Sequence, residues 1–231
     1  MSNYLKSLIQ PKDIVPNLIE TFPSEFKNKL FGEEEFYSYL VKNQYNCVCY
    51  HITRLTENEL IDIKNNGIKF GNKEFLISRI NNLPSDYKEI KEFLLKNIEV
   101  EFSNESDENN LVFAFYGRLD LKNNIADNNS FFNNWGGEAI YRYIDRNDNF
   151  SDPFLRRTHE KLQRISKPYL IVLRTSENIS LITQSGNIYK DYVSSNTNNS
   201  FGSFALTEIP ETIKTIELTD EKIMIKDRLF K

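Results

Sequence analysis

One stretch carries most of the structural information in this chain: residues 46–70 read NCVCYHITRLTENELIDIKNNGIKF. Its first eight residues form a compact run typical of a β-strand. Because side chains alternate along a strand, the two cysteines fall on the same face as His51 and Thr53. This pattern predicts a strand with one partly polar face.

A short helix is expected directly after this strand. Thr56 and Glu59 have the spacing of a capping box, in which each side chain bonds the other residue's backbone. Leu60 and Ile63 supply an apolar stripe, and Gly67 is placed to end the helix. The sequence therefore predicts a strand, a turn, one helix, a glycine stop and a further strand up to residue 70.

The remaining patterns extend this arrangement in both directions. Residues 1–45 read as short helices, among them Glu33–Lys42. Phe75–Ile80 is predicted as a short strand, Pro84–Asn97 as an amphipathic helix and Leu111–Tyr116 as a buried strand.

The last third is rich in strand patterns. Asp152 and Pro153 begin a helix that is expected to run to Ile165, and residues 168–174 (PYLIVLR) are typical of a central strand. Several short strands are predicted between residues 179 and 225. This order favours an α+β fold. We expect one domain over residues 46–231, with an N-terminal helical elaboration over residues 1–45.

Composition limits the function further. Twenty-nine Lys and Arg against 33 Asp and Glu give a formal charge of −4, without the basic excess typical of proteins that wrap DNA. No apolar run approaches the length of a membrane span, and the first residues lack the apolar core of a secretory signal. We therefore expect a cytoplasmic protein that does not contact a membrane.

Motifs for a P-loop, a dinucleotide-binding turn and a nucleophile elbow are missing from the sequence.

No metal site is expected. The sequence has two cysteines and two histidines, and Cys47, Cys49 and His51 alternate along one strand. Neighbours on one face of a strand lie about 6.5–7 Å apart at about 3.3 Å per residue. They cannot converge on one zinc ion, whose ligands lie at about 2.0–2.3 Å.

The opening Tyr-His-Ile-Thr, followed by a short helix and a Gly-Ile ending, resembles the ADP-ribosyltransferase superfamily. The closest variants carry His-x-Thr and include the DNA-targeting ADP-ribosyltransferase toxins and the tRNA 2′-phosphotransferases. The resemblance covers residues 48–70 and continues more loosely to Glu138. It implies a split-sheet fold, NAD as co-substrate, and transfer of ADP-ribose to a macromolecular acceptor.

The resemblance also implies roles for single residues. His51 and Thr53 would hold the nicotinamide and ribose end of NAD. Tyr116 would flank the nicotinamide, with Phe115 as the other register. Arg79 matches an arginine that contacts the NAD phosphates, although a surface arginine fits the sequence equally well.

Glu138 matches the glutamate that bonds the ribose 2′-hydroxyl and assists cleavage. Gly136 and Gly137 precede it and let the backbone approach a ligand closely, so Gly137 is included among the NAD-binding residues. A fixed carboxylate there would stabilise the positive charge that develops as nicotinamide leaves. A structural strand-end glutamate is the alternative, and Glu208 is a reserve candidate for the catalytic carboxylate.

The acceptor stays open at this point. The acidic balance favours a protein, but Arg157, Lys161 and Arg164 share one helix face that could meet nucleic acid. Enzymes of this kind often act as toxins or in antiphage defence, which implies an antitoxin or regulatory partner. The alternatives are an NAD glycohydrolase or an RNA 2′-phosphotransferase of the same fold, and a non-catalytic binding module.

Overall fold

The computed structural model of the chain describes residues 7–15, 22, 24–102, 112–117, 135, 152–176, 188–194, 201–206 and 208–218. Six α-helices fall within this part: α1 Glu33–Lys42, α2 Glu57–Asn66, α3 Lys73–Asn81, α4 Lys88–Phe102, α5 Pro153–Ile165 and α6 Ile188–Ser194. Two 3₁₀ helices accompany them, Ser24–Asn28 and Ser85–Tyr87. The six strands are β1 Asp13–Ile14, β2 Asn46–Leu55, β3 Val112–Gly117, β4 Lys167–Thr175, β5 Phe201–Leu206 and β6 Glu211–Glu217.

The strands form one mixed sheet with the order β5-β3-β2-β4-β6, and β1 pairs with β2 beside this path. β1 runs parallel to β2, whereas the other pairings of the described strands are antiparallel. β2 and β4 pair over nine consecutive positions, from Cys47 opposite Thr175 to Leu55 opposite Lys167. Helices and a largely antiparallel sheet together confirm the α+β class.

Both faces of the β2–β4 pair are buried, which explains the nearly continuous apolar runs in these two strands. One face carries Cys47 and Cys49 and packs against the aromatic residues Phe26 and Phe36 of the N-terminal segment. The other face carries Tyr50 and packs against residues that include Val15 and Leu218. The predicted central strand is confirmed by its place between β2 and β6.

A third apolar cluster joins the helices α3, α4 and α5. Leu76, Ile80, Leu94 and Leu162 are buried in it together with Trp135. The predicted helix at residues 84–97 is confirmed, although it begins with a 3₁₀ turn and extends to Phe102. The helix predicted from Asp152 runs from Pro153 to Ile165, with the Asp152 side chain accepting from Phe154 N at its N-cap.

Three secondary-structure predictions were wrong. Residues 75–80 belong to helix α3 and not to a strand, because Asn72 caps its N-terminus and Leu76 and Ile80 bury one helical face. No strand follows Gly67 before α3 begins. The last third of the chain contains helix α6 in addition to β5 and β6.

The N-terminal segment, which was predicted to contain only short helices, also contributes a strand to the sheet. Residues 13–14 form β1, and Tyr192 of α6 donates its hydroxyl to the carbonyl of Phe26 at 3.1 Å. Tyr192 and Phe36 also stack with ring centroids 4.8 Å apart. The division of the chain at residue 45 stays a prediction.

A buried ion pair fixes β1 to the centre of the sheet. Arg174 on β4 donates from Nε to Asp13 Oδ1 at 2.9 Å and from Nη2 to Asp13 Oδ2 at 2.8 Å. Its Nη1 donates to Glu211 at 2.7 Å. Asp13 is fully buried, so its charge depends on this bidentate partner.

Asp13→Ala should therefore destabilise the protein strongly, because among the described residues it leaves the buried Arg174 with the exposed Glu211 as its one charged partner. We expect a loss of about 3 kcal/mol in the free energy of unfolding, measured by urea denaturation. Asp62→Ala is the matched control, since Asp62 pairs with Lys69 at the surface and should cost less than about 1 kcal/mol. Equal losses in the two variants would contradict the structural role of the buried pair.

Candidate functional site

His51 is partly exposed on a face of β2 whose other residues from Cys47 to Leu55 are buried. Cys49 is 0% exposed and Thr53 is 8% exposed, whereas His51 between them is only half-buried. In the sheet His51 lies opposite Ile171 of β4, and Thr53 lies opposite Tyr169. The predicted shared face is thus confirmed, and it is partly exposed at the histidine.

The register of β3 distinguishes Tyr116 from Phe115. Phe115 lies opposite Tyr50, so its strand position belongs to the Tyr50 face of the sheet. Tyr116, one position further, belongs to the face that carries His51. Its backbone lies on the diagonal from His51, a separation of about 7–8 Å between neighbouring antiparallel strands. The role of Tyr116 beside the nicotinamide stays a prediction.

Gly137 and Glu138 lie outside the described residues, but Trp135, three positions before Glu138, is described. Trp135 is buried and forms an isolated parallel bridge with Arg54 near the end of β2. The start of the Trp-Gly-Gly-Glu segment is thus attached one residue beyond Thr53. The roles of Gly137 and Glu138 stay predictions.

A charged cluster holds Trp135 in place. The Glu59 carboxylate accepts from the indole Nε1 of Trp135 at 2.9 Å and forms an ion pair with Arg79 Nε. The guanidinium carbon of Arg79 lies 4.9 Å from the centroid of the Trp135 ring, and a further contact joins Arg79 Nη2 to the Arg54 carbonyl at 3.4 Å. This arrangement joins α2, α3 and the end of β2.

The capping box fixes the orientation of the Glu59 side chain. Thr56 N donates to Glu59 Oε2 at 2.7 Å, and Glu59 N donates to Thr56 Oγ1 at 3.4 Å, as predicted from the sequence. The Glu59 carboxylate therefore accepts hydrogen bonds both from the N-terminus of α2 and from Trp135. Burial alone would raise the pKa of Glu59, but Arg79 and the hydrogen bonds from Arg79, Thr56 and Trp135 together lower it.

Arg79 has a compensating partner in Glu59. Both side chains are largely buried, at 9% and 17% exposed. A buried pair of this kind explains the position of Arg79 without a ligand. The assignment of Arg79 to the NAD phosphates remains a prediction.

Arg54 fixes the far end of α5 to the sheet. Its Nη2 donates to the carbonyls of Gln163 at 3.1 Å and Ser166 at 2.6 Å, where a helix C-terminus leaves carbonyls without helical partners. Burial lowers the pKa of Arg54. The basic residues of α5 that were expected on one face, Arg157, Lys161 and Arg164, are all exposed.

The remaining candidates are one exposed glutamate and two buried cysteines. Glu208 is exposed and follows the end of β5. Cys47 and Cys49 are fully buried free thiols, and desolvation raises the pKa of both, as is typical of structural cysteines. Within the described ranges, no group of three His, Cys, Asp or Glu residues could hold a metal ion, and no helix is long and apolar enough to cross a membrane.

Glu59 is the residue that sequence reasoning missed. The capping box was recognised, but it assigns the glutamate a local role only. Arg79 and Trp135 lie 20 and 76 residues further along the chain, so no local pattern reveals them as partners.

Comparisons with protein-family models, curated proteins and solved structures find no match for this chain.

Acidification should weaken the Glu59 cluster. Because the pKa of Glu59 is lowered in the folded protein, the carboxylate adds stability that is complete above its unfolded pKa of about 4.5 and is lost as the pH falls below it. We expect the difference in unfolding free energy between wild type and Glu59→Gln to shrink between pH 6 and pH 3, measured by chemical denaturation. A difference that stays constant over this range would contradict the lowered pKa.

Proposed function

We propose that the protein is an NAD-consuming mono-ADP-ribosyltransferase. In this proposal His51 and Thr53 hold the nicotinamide ribose, Tyr116 flanks the nicotinamide and Glu138 assists cleavage of the glycosidic bond. The split-sheet fold of the superfamily is part of the same proposal, with which the observed α+β sheet is compatible.

One observation carries the proposal. The face of β2 is open at His51, and Thr53 and the Tyr116 position lie on that same face. His51 is the partly exposed polar group on this otherwise apolar face, and the buried hydroxyl of Thr53 lies two positions further along it. The resemblance of residues 48–70 to the superfamily supplies the identity of the ligand.

The position of Trp135 supports the proposed role of Glu138. Glu138 is three positions after Trp135 in the sequence, and a chain of that length spans at most about 11 Å. Trp135 is bridged to Arg54, which follows Thr53. Trp135 therefore lies beside the end of β2 that carries Thr53, three positions before Glu138 in the sequence.

The proposed chemistry needs few groups. The bond between the nicotinamide nitrogen and ribose C1′ breaks, and its electron pair leaves with nicotinamide. The sugar then carries positive charge, which the Glu138 carboxylate stabilises. A nucleophilic atom of the macromolecular acceptor attacks C1′ and loses its proton. A water molecule in place of the acceptor would give NAD hydrolysis.

Nicotinamide release tests this proposal. Purified wild type and Glu138→Gln are supplied with NAD and with either cell lysate or nucleic acid as acceptor. We expect release by the wild type and a loss on the order of 100-fold in Glu138→Gln, because the substitution removes the stabilising charge. Glu74→Gln on the exposed surface of α3 is the control and should retain full activity.

The other outcomes separate the alternatives. Loss of activity in Glu208→Gln but not in Glu138→Gln would move the catalytic role to Glu208. Release that does not depend on an acceptor would indicate a glycohydrolase. No NAD binding and no release with any acceptor would contradict the proposal and favour a non-catalytic binding module.

A further inference from the structure

Trp135 is held from two sides by charged groups. Its indole N–H donates to Glu59 Oε2 at 2.9 Å, and the face of its ring lies 4.9 Å from the guanidinium carbon of Arg79. Glu59 and Arg79 are themselves paired, so each charge has a partner inside the cluster. The ring is 2% exposed and packs in the cluster formed by α3, α4 and α5.

Such an anchor matters because two glycines come directly after Trp135 in the sequence. Gly136 and Gly137 have no side chains and the widest backbone freedom of any residue, so they do not fix the position of Glu138 by themselves. In any protein, such a glycine pair is restricted mainly by contacts of the chain on either side of it. On the N-terminal side, Trp135 supplies these contacts through its ring and its bridge to Arg54.

Glu59 is the central member of the anchor. Its two carboxylate oxygens accept from Thr56 N, Trp135 Nε1 and Arg79, so it bonds both groups that hold the ring. The capping box fixes the carboxylate to the first turn of α2, which follows β2 directly. Glu59 therefore adds a side-chain connection between the start of α2 and Trp135 to the backbone bridge that joins Trp135 to Arg54 of β2.

We propose that Glu59 is a positioning residue that holds Trp135 at the end of β2, three positions before the proposed catalytic Glu138 in the sequence. This inference rests on the proposed function, because it assigns Glu59 to the placement of the catalytic carboxylate. Glu59 contacts neither NAD nor the acceptor in this scheme.

The chain offers a direct probe, since Trp135 is its only tryptophan. Glu59→Gln removes the charge that pairs with Arg79 while it keeps a side chain of nearly the same size. We expect the tryptophan emission of this variant to shift to longer wavelength and acrylamide quenching to rise at least twofold. Circular dichroism checks that the helices and the sheet remain.

Kinetics measure the consequence for the site. A displacement of about 1 Å at a reacting group costs as much as 100-fold in rate. We therefore expect kcat for nicotinamide release to fall by about 10- to 100-fold in Glu59→Gln, with KM for NAD changed less than threefold, because His51 and Thr53 are untouched. A merely structural role for Glu59 would lower stability without this separation of kcat from KM.

Thr56→Ala is the matched control. It removes the other half of the same capping box and should cost about 1 kcal/mol of stability, but it leaves the Glu59 carboxylate and its contacts to Trp135 and Arg79. We expect wild-type fluorescence and kcat from this variant at a temperature where it is folded. Equal loss of activity in Thr56→Ala and Glu59→Gln would overturn the positioning role.

The two proposals fail in different ways. If the wild type releases nicotinamide and Glu138→Gln does not, but Glu59→Gln keeps the wild-type kcat, the positioning role is wrong and the proposed function stands. If the wild type releases no nicotinamide with any acceptor, the proposed function is wrong and the role of Glu59 in catalysis falls with it. Unchanged tryptophan fluorescence in Glu59→Gln would also overturn the positioning role.

Discussion

The pairing of β2 with β4 is the constraint on which the rest of the structure depends. Nine consecutive residue pairs hold β2 in register, and β3 covers part of its other edge. A slip of one residue would transfer every side chain of β2 to the opposite face. His51 would then lie among the apolar residues around Tyr50, and the open position on the other face would be lost.

The charged residues at the end of β2 connect this strand to the surrounding helices. Arg54 bonds the last carbonyls of α5, and Glu59 joins Arg79 and Trp135 just beyond the strand. At the other end of the sheet, Arg174 and Asp13 fix the N-terminal segment. The pairs Asp13–Arg174 and Glu59–Arg79 are largely buried, and this specifies one arrangement of the elements because an unpaired buried charge would be costly.

Local signals explain what the sequence could predict. Alternation defined β2, the capping box and Gly67 defined α2, and Asp152-Pro153 placed the first turn of α5. Residues 75–80 were assigned to a strand because a short apolar run fits both periodicities, and the capping signal of Asn72 was not used. The Glu59 cluster could not be predicted, since its members meet only after the chain has folded. Gly137 and Glu138 stay predictions from the resemblance.

In the proposed function, the open position at His51 receives the nicotinamide end of NAD, and this is the central claim. The most direct measurement is a crystal structure with a non-hydrolysable NAD analogue, solved for wild type and for His51→Ala. The claim predicts nicotinamide ribose density against His51 and Thr53 on the face shared with Tyr116, and no ordered analogue in the variant. An analogue bound elsewhere, or bound equally well in His51→Ala, would contradict it.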